Sequence, residues 1–203
     1  MNNNKRLIEV PEDLLNHPIT KWMGDKGWTW FDHQVEALKT AQLNKDFILF
    51  APTGAGKTLS GFLPSLVDLK NNGSNQKLHT LYISPLKALA VDVHRNIGKP
   101  VEELGLELTY ETRTGDTPQS KRQRQKNKPP DILMTTPESL ALMVSYEDSH
   151  KYFKDLKYII VDELHAFLHT KRADLFSLNL ERLRSFAPKA RRIGLSATLA
   201  DKK

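Results

Sequence analysis

Two stretches of this sequence carry side chains whose types and spacing suit chemistry on a phosphate. The first is Ala51-Pro52-Thr53-Gly54-Ala55-Gly56-Lys57-Thr58. Gly54 and Gly56 let the backbone turn tightly, so that its N–H groups point inward at an anion. Lys57 puts a cation at the β- and γ-phosphates of a nucleoside triphosphate, and the Thr58 hydroxyl can ligate Mg²⁺. A bare Gly-x-Gly-Lys-Thr also suits a surface turn. Here the apolar run Phe47–Phe50 precedes it as a strand, and helical apolar spacing follows from Leu59 to Leu69. That helix adds its N-terminal partial positive charge to the anion site. One departure is plain: Ala51 stands where the usual pattern has its first glycine.

The second stretch is Asp162-Glu163-Leu164-His165, reached directly from the apolar run Tyr158–Val161. A strand ending in two acids delivers both carboxylates to one sheet edge. The first suits Mg²⁺, and the second can accept a proton from water attacking a γ-phosphate. The alternative is that the pair caps a following helix, since acids favour a helix N-terminus. With the phosphate loop upstream, metal-assisted nucleoside triphosphate hydrolysis is the leading chemistry. His165 and His169 are four apart but lack a third ligand for zinc.

Regular elements must bring these stretches together. Runs rich in β-branched and aromatic residues predict strands near Phe47–Ala51, His79–Ser84, Glu107–Thr112, Asp131–Thr135, Tyr158–Asp162 and Arg192–Leu195. Apolar periodicity predicts helices near Asp32–Ala41, Thr58–Lys70, Leu86–Ile97, Gln119–Lys126, Pro137–Val144 and Ala173–Phe186. Alternating strands and helices with short connections imply an α/β fold with a mostly parallel sheet covered on both faces. In such sheets ligands sit beyond the carboxyl ends of the strands, where both stretches fall. No repeat or long linker divides the chain, which reads as one domain over residues 31–203 after a helical lead-in over residues 1–30.

Composition sets looser bounds. The apolar content of 39% can fill a core, and no run approaches the ~18 apolar residues of a membrane span. The start, Met1-Asn2-Asn3-Asn4-Lys5-Arg6, lacks a signal-peptide apolar region, and the absence of cysteine excludes disulfides and thiolate metal sites. A cytoplasmic protein with no membrane partner is the expectation. The net charge of +6 suits a polyanion. Five of the 30 Lys and Arg residues lie in the acid-free run Ser120–Lys128, which reads either as a solvated helix or as a phosphate contact. On the contact reading, neutralising Lys121, Arg122 and Arg124 weakens nucleic-acid binding and reduces its salt slope.

Taken in order, these motifs resemble those of a superfamily 2 DExH-box helicase. The phosphate loop, Asp162-Glu163-Leu164-His165 and Ser196-Ala197-Thr198 look like motifs I, II and III, and alanine at position 51 is common in that family. Ile83 to Leu89 resembles motif Ia. Arg113 to Thr117 and Thr135 to Leu140 resemble the strand-contacting motifs that follow it. Trp30-Phe31-Asp32-His33-Gln34 resembles a Q-motif. The likeness, over residues 22 to 200, is strongest to the large helicase-related (Lhr) type and its bacterial ligase-associated DExH-box DNA helicases.

The resemblance implies a P-loop NTPase with a RecA-like three-layer αβα domain, using ATP and Mg²⁺. Gln34 would read adenine, with Trp30 or Phe31 packing nearby; Trp28 and Trp30 taken alone read as core aromatics. Thr53, Gly54, Ala55, Gly56, Lys57 and Thr58 would cradle the phosphates. Thr58 and Asp162 would hold the metal, with Lys57 and Glu163 catalytic. His165, Ser196 and Thr198 would couple this site to nucleic acid, although the two hydroxyls also suit strand-end caps. Pro85, Lys87, Arg113, Gly115, Thr136 and Pro137 would lie against one strand's sugar-phosphate backbone.

The implied partner is DNA, as a single strand or a single/double-strand junction, in a DNA-repair setting, with a DNA ligase or nuclease as a further partner. RNA is the alternative polymer, and a binding fragment without turnover is the alternative function. The family's motors hydrolyse ATP between two RecA-like domains, and this sequence carries motifs of the first only. The 203-residue chain is therefore expected to bind nucleotide weakly, hydrolyse it poorly and unwind nothing.

Overall fold

The computed structural model describes residues 10–52, 54–167 and 171–197. The strand signals become β1 (Phe47–Phe50), β2 (Thr80–Ile83), β3 (Tyr110–Arg113), β4 (Ile132–Thr135), β5 (Tyr158–Val161) and β6 (Arg191–Ser196). They form one six-stranded sheet in the order β1-β6-β5-β2-β4-β3, and every pairing is parallel. Register aligns the carboxyl ends: Phe50 pairs with Ser196, Val161 with Ile83, and Ile83 and Arg113 both with Thr135. The residues just past these strands therefore emerge along one edge.

Successive strand side chains point to opposite faces, so each buried strand feeds two cores. Tyr82, Ile132, Met134, Ile160, Ile193 and Leu195 join one core. Helices α1 (Pro18–Asp25), α2 (Asp32–Gln42), α3 (Lys57–Asn72) and α4 (Lys87–Glu103) cover it. Leu81, Ile83, Leu133, Ile159 and Val161 join the other. That face lies under α6 (Pro137–Ser145), α7 (Ser149–Phe153) and α8 (Lys171–Phe186), while α5 (Gln119–Asn127) flanks the edge strand β3.

Each predicted strand and helix is present within a few residues. Two differences are instructive. Helix α4 runs on through Pro100 to Glu103, and its last residue accepts hydrogen bonds from Trp22 Nε1 at 2.7 Å and Lys26 Nζ at 2.5 Å. The lead-in is thereby tied to the domain, and its Leu14, Ile19, Trp22 and Met23 are core residues. The five-residue α7 has no signature in the sequence because it is too short for a periodic pattern.

Candidate ATP site

The chain leaves β1 through Ala51, whose N–H extends the ladder to the Ser196 carbonyl at 3.3 Å. It then turns through Gly54 and Gly56, at φ of +84° and +69°. A side chain at Gly56 would be strained by that φ and would press on Gln34 Nε2 at 3.2 Å. Gly56 caps α3, so the helix opens at Lys57 and Thr58 with its unpaired N–H groups beside the loop. Thr53 lies outside the described residues.

Lys57 is only 7% exposed, and its ammonium is 3.2 Å from Glu163 Oε1. Glu163 adopts φ +49°, a left-handed conformation that costs a non-glycine residue about 1 kcal/mol or more. Strain of this kind marks a position where side-chain placement outweighs backbone comfort. The other Glu163 oxygen lies 3.3 Å from His165 Nδ1, and the same nitrogen is 3.2 Å from Ser196 Oγ. Lys57, Glu163, His165 and Ser196 thus form a continuous polar chain from the phosphate loop to the end of β6.

Asp162 is nearly buried beside them. It accepts hydrogen bonds from the Tyr82 hydroxyl and, at 2.8 Å, from the Glu163 N–H. Burial holds its carboxyl above the usual range; the two hydrogen bonds oppose that, the nearby Glu163 adds to it, and Lys57 offsets it. Tyr82 is fully buried, stacks on Phe62, and has its phenol pushed well up by burial and by Asp162. The helix-capping alternative does not hold. Past Glu163 the chain makes a single 3-10 turn, Leu164–Phe167, and the two acids face Lys57, Tyr82 and His165 instead.

The segment before α2 packs on the phosphate loop. His33 Nε2 is 2.9 Å from the Ala55 carbonyl, and Phe31 stacks on His33. Gln34 is 2% exposed, and its Oε1 accepts the Phe31 N–H at 3.0 Å. Its amide nitrogen is the end that lies by Gly56. Trp30 is partly buried against the core, whereas Trp28 is 50% exposed beside Trp22. A cleft of about 1000 Å³ lies beside these groups, lined by Trp28, Phe31, Gln34, Lys57, Thr58 and Glu163 among others.

The residues read as strand-contacting lie just past β2, β3 and β4 on the same edge. Pro85 is half-buried and Gly115 exposed. Thr136 caps α6 through Ser139 N, and Pro137 opens that helix. Lys87 begins α4, but its side chain is not described, and Thr198 lies outside the described residues. Arg113 departs from the expectation. It is 6% exposed and lines a small cavity with Met143, Tyr146, Ser149 and Tyr152 of the α6–α7 region, because strand alternation turns it to the covered face. Its guanidinium is not on a surface that could grip a strand. Sequence reading missed Tyr82 and His33; neither has a distinguishing signal, since Tyr82 reads as one more strand aromatic.

Comparison with known proteins identifies the family and the fold. Residues 31–203 match the family described as DEAD/DEAH box helicase. The chain belongs to that family. Among relatives of this DEAD/DEAH box chain, the ATP-dependent helicase Lhr-Core of Methanocaldococcus jannaschii is 40% identical over 201 residues, covering 92% of this chain and 24% of the relative. The Lhr helicase/probable uracil glycosylase of Mycolicibacterium smegmatis is 41% identical over 179 residues, or 82% and 12% of the two chains. A solved structure of Mycobacterium smegmatis helicase Lhr bound to ssDNA and AMP-PNP superposes with TM-score 0.83 at 38% identity. It covers 90% of this chain and 25% of that one. The DUF1998 helicase MrfA bound to DNA and AMPPNP gives 0.81 at 26%, covering 96% and 28%. The fold is thus RecA-like, and the chain spans roughly a quarter or less of these helicases.

Proposed function

We propose that this chain is the first RecA-like, ATP-binding domain of an ATP-dependent DNA helicase or translocase. The observation that carries the reading is the Lys57–Glu163 pair, held at 3.2 Å between the phosphate loop and the end of β5. ATP binding would draw the Lys57 ammonium to the β/γ-phosphates and release the Glu163 carboxylate. Glu163 would then accept a proton from water as the water oxygen bonds to the γ-phosphorus and the bond to the bridging oxygen breaks, leaving ADP and phosphate. His165 and Ser196 are spaced to relay the change in Glu163 towards β6, with Thr198 as a further coupling residue.

Thr58 and Asp162 fit Mg²⁺, a hard cation that takes oxygen ligands from a hydroxyl, one carboxylate and the phosphates themselves. Bound there, Mg²⁺ would supply charge neutralisation on the phosphates. Gln34 would meet the base through its amide nitrogen, the end not engaged by Phe31. Residues 31–203 would form this domain, with residues 1–30 as a lead-in whose Leu14, Ile19, Trp22 and Met23 pack onto it, and a second RecA-like domain completing the cleft.

DNA is preferred to RNA because two similar solved structures, of the Lhr helicase and of MrfA, are described as DNA-bound. Pro85, Lys87, Gly115, Thr136 and Pro137 would lie along one strand. Among the described residues no helix is long and apolar enough to cross a membrane. A cytoplasmic DNA-repair setting suits this reading, with a ligase or nuclease as a further partner. The deciding experiment uses a longer chain that includes the proposed second RecA-like domain and compares ATP hydrolysis with single-stranded DNA, single-stranded RNA and neither, for wild type and Lys57→Ala. DNA-dependent stimulation abolished by the substitution supports the reading. RNA-only stimulation would make it an RNA motor, and turnover indifferent to Lys57 would make it a binding module.

A further inference from the structure

The acid-free run on α5 reads in sequence as a grip for phosphates, but its side chains turn back onto the protein. Lys121 and Arg124 pair with Glu111 of β3 at 3.8 and 2.9 Å, and Lys126 lies 3.9 Å from Asp148. Gln125, buried between them, donates to Glu111 and to the Thr112 carbonyl. Arg122 has a different set of partners. Its Nε donates to the Thr117 carbonyl at 2.7 Å, and its Nη2 donates to the Gly115 carbonyl at 2.6 Å and the Thr114 carbonyl at 3.4 Å.

Those carbonyls belong to the turn between β3 and α5. The turn closes on itself, with Thr117 N–H donating to the Thr114 carbonyl at 3.1 Å and Thr114 N–H to Thr117 Oγ1 at 2.9 Å. Its tip, Gly115 and Asp116, is exposed. We propose that Arg122 is the positioning residue of this turn, fixing it through its backbone carbonyls so that the tip meets a nucleic-acid strand. The inference rests on the proposed contact between Gly115 and that strand.

The chemistry favours arginine specifically. A planar guanidinium presents its donors in a fixed fork and can span several carbonyls at once, whereas a lysine ammonium is a point donor on a flexible stem. With Nε and Nη2 turned onto carbonyls, three of the five N–H donors of Arg122 are committed to the turn. The loop is then pre-ordered before the strand arrives, and binding need not supply its ordering entropy.

The test is binding of labelled single-stranded DNA to the 203-residue chain across a salt series, with nucleotide-analogue affinity measured alongside. Arg122→Lys and Arg122→Gln should both weaken DNA binding by about tenfold, the scale of a lost charge-assisted hydrogen bond. The slope of affinity against salt should stay at the wild-type value, and nucleotide affinity should not change. Full retention of binding by Arg122→Lys would overturn the proposal. So would a slope smaller by ~0.7 in Arg122→Gln, the signature of one lost single-strand phosphate contact. Parallel loss of nucleotide binding would show only a general structural role and would overturn it too. Gly115→Glu separates the two readings. If it leaves DNA binding intact, the turn does not touch the strand; if it abolishes binding while Arg122→Lys does not, the Arg122 assignment alone is wrong.

Discussion

Asp131 and Asp162 are aspartates at opposite ends of one parallel sheet. Asp131 precedes β4 at the amino edge and is 1% exposed; Asp162 follows β5 at the carboxyl edge and is 4% exposed. Loops close over Asp131. Thr109 donates to it through N–H at 2.8 Å and hydroxyl at 2.9 Å, Ser74 donates to its other oxygen, and its own carbonyl receives His79 and Thr80. Asp162 has the Tyr82 hydroxyl and one backbone N–H, a carboxyl raised by burial, and a strained neighbour in Glu163. Burial alone therefore does not mark function. An acid satisfied by neutral donors under a lid of loops holds the fold, while an acid under-neutralised at the mouth of a cleft suits the cation of the proposed function.

The sharpest break of that contrast is at the site end. Glu163→Gln should cut ATP turnover by ~10²–10⁴, the range for losing a general base, while nucleotide affinity stays at least at the wild-type level. Phosphate release measured against nucleotide binding, in a chain that includes the proposed second RecA-like domain, checks this, and a loss under tenfold would remove Glu163 from the proposed role. Next in size, Asp131→Ala should cost about 3 kcal/mol in urea unfolding, because it removes three hydrogen bonds that tie two loops to a buried carboxylate, with no change in nucleotide affinity.

Asp162→Asn should act in the opposite sense on stability. Removing an incompletely neutralised buried carboxylate should add ~1 kcal/mol, or roughly 2–4 °C in thermal midpoint, while turnover is lost. A drop in midpoint would place Asp162 with Asp131 as a structural acid. The smallest effect belongs to the amino edge. The hydrogen bond from His79, at 2.8 Å, holds the Asp68 carboxyl below its ordinary range. Its contribution is present above the unfolded carboxyl pKa and is lost as pH falls through the depressed folded value. Asp68→Asn should therefore flatten acid unfolding by ~0.5 kcal/mol or less, read from midpoints between neutral and acid pH.

The contrast also explains what could be read from sequence. The phosphate loop and Asp162-Glu163 were legible because each is a local string placed just after a strand, and parallel register brings such strings to one edge without further information. Roles that depend on long-range partners were not legible. Tyr82 meets Asp162 across 80 residues of chain, and nothing in the run Leu81-Tyr82-Ile83 sets that phenol apart from packing aromatics. Arg113 looked like a strand contact because it opens a polar motif, yet the alternation of β3 buries it. The α5 cations resembled a phosphate grip because their carboxylate partners, Glu111 and Asp148, lie outside the run.

On the proposed function, Lys57 is the phosphate cation and Glu163 holds it until nucleotide arrives. Calorimetric titration of a non-hydrolysable ATP analogue with Mg²⁺ into wild type, Lys57→Ala and Glu163→Gln tests this directly. Wild type should bind, Lys57→Ala should lose at least tenfold in affinity, and Glu163→Gln, which frees the ammonium, should bind at least as tightly as wild type. Equal affinity in wild type and Lys57→Ala would contradict it.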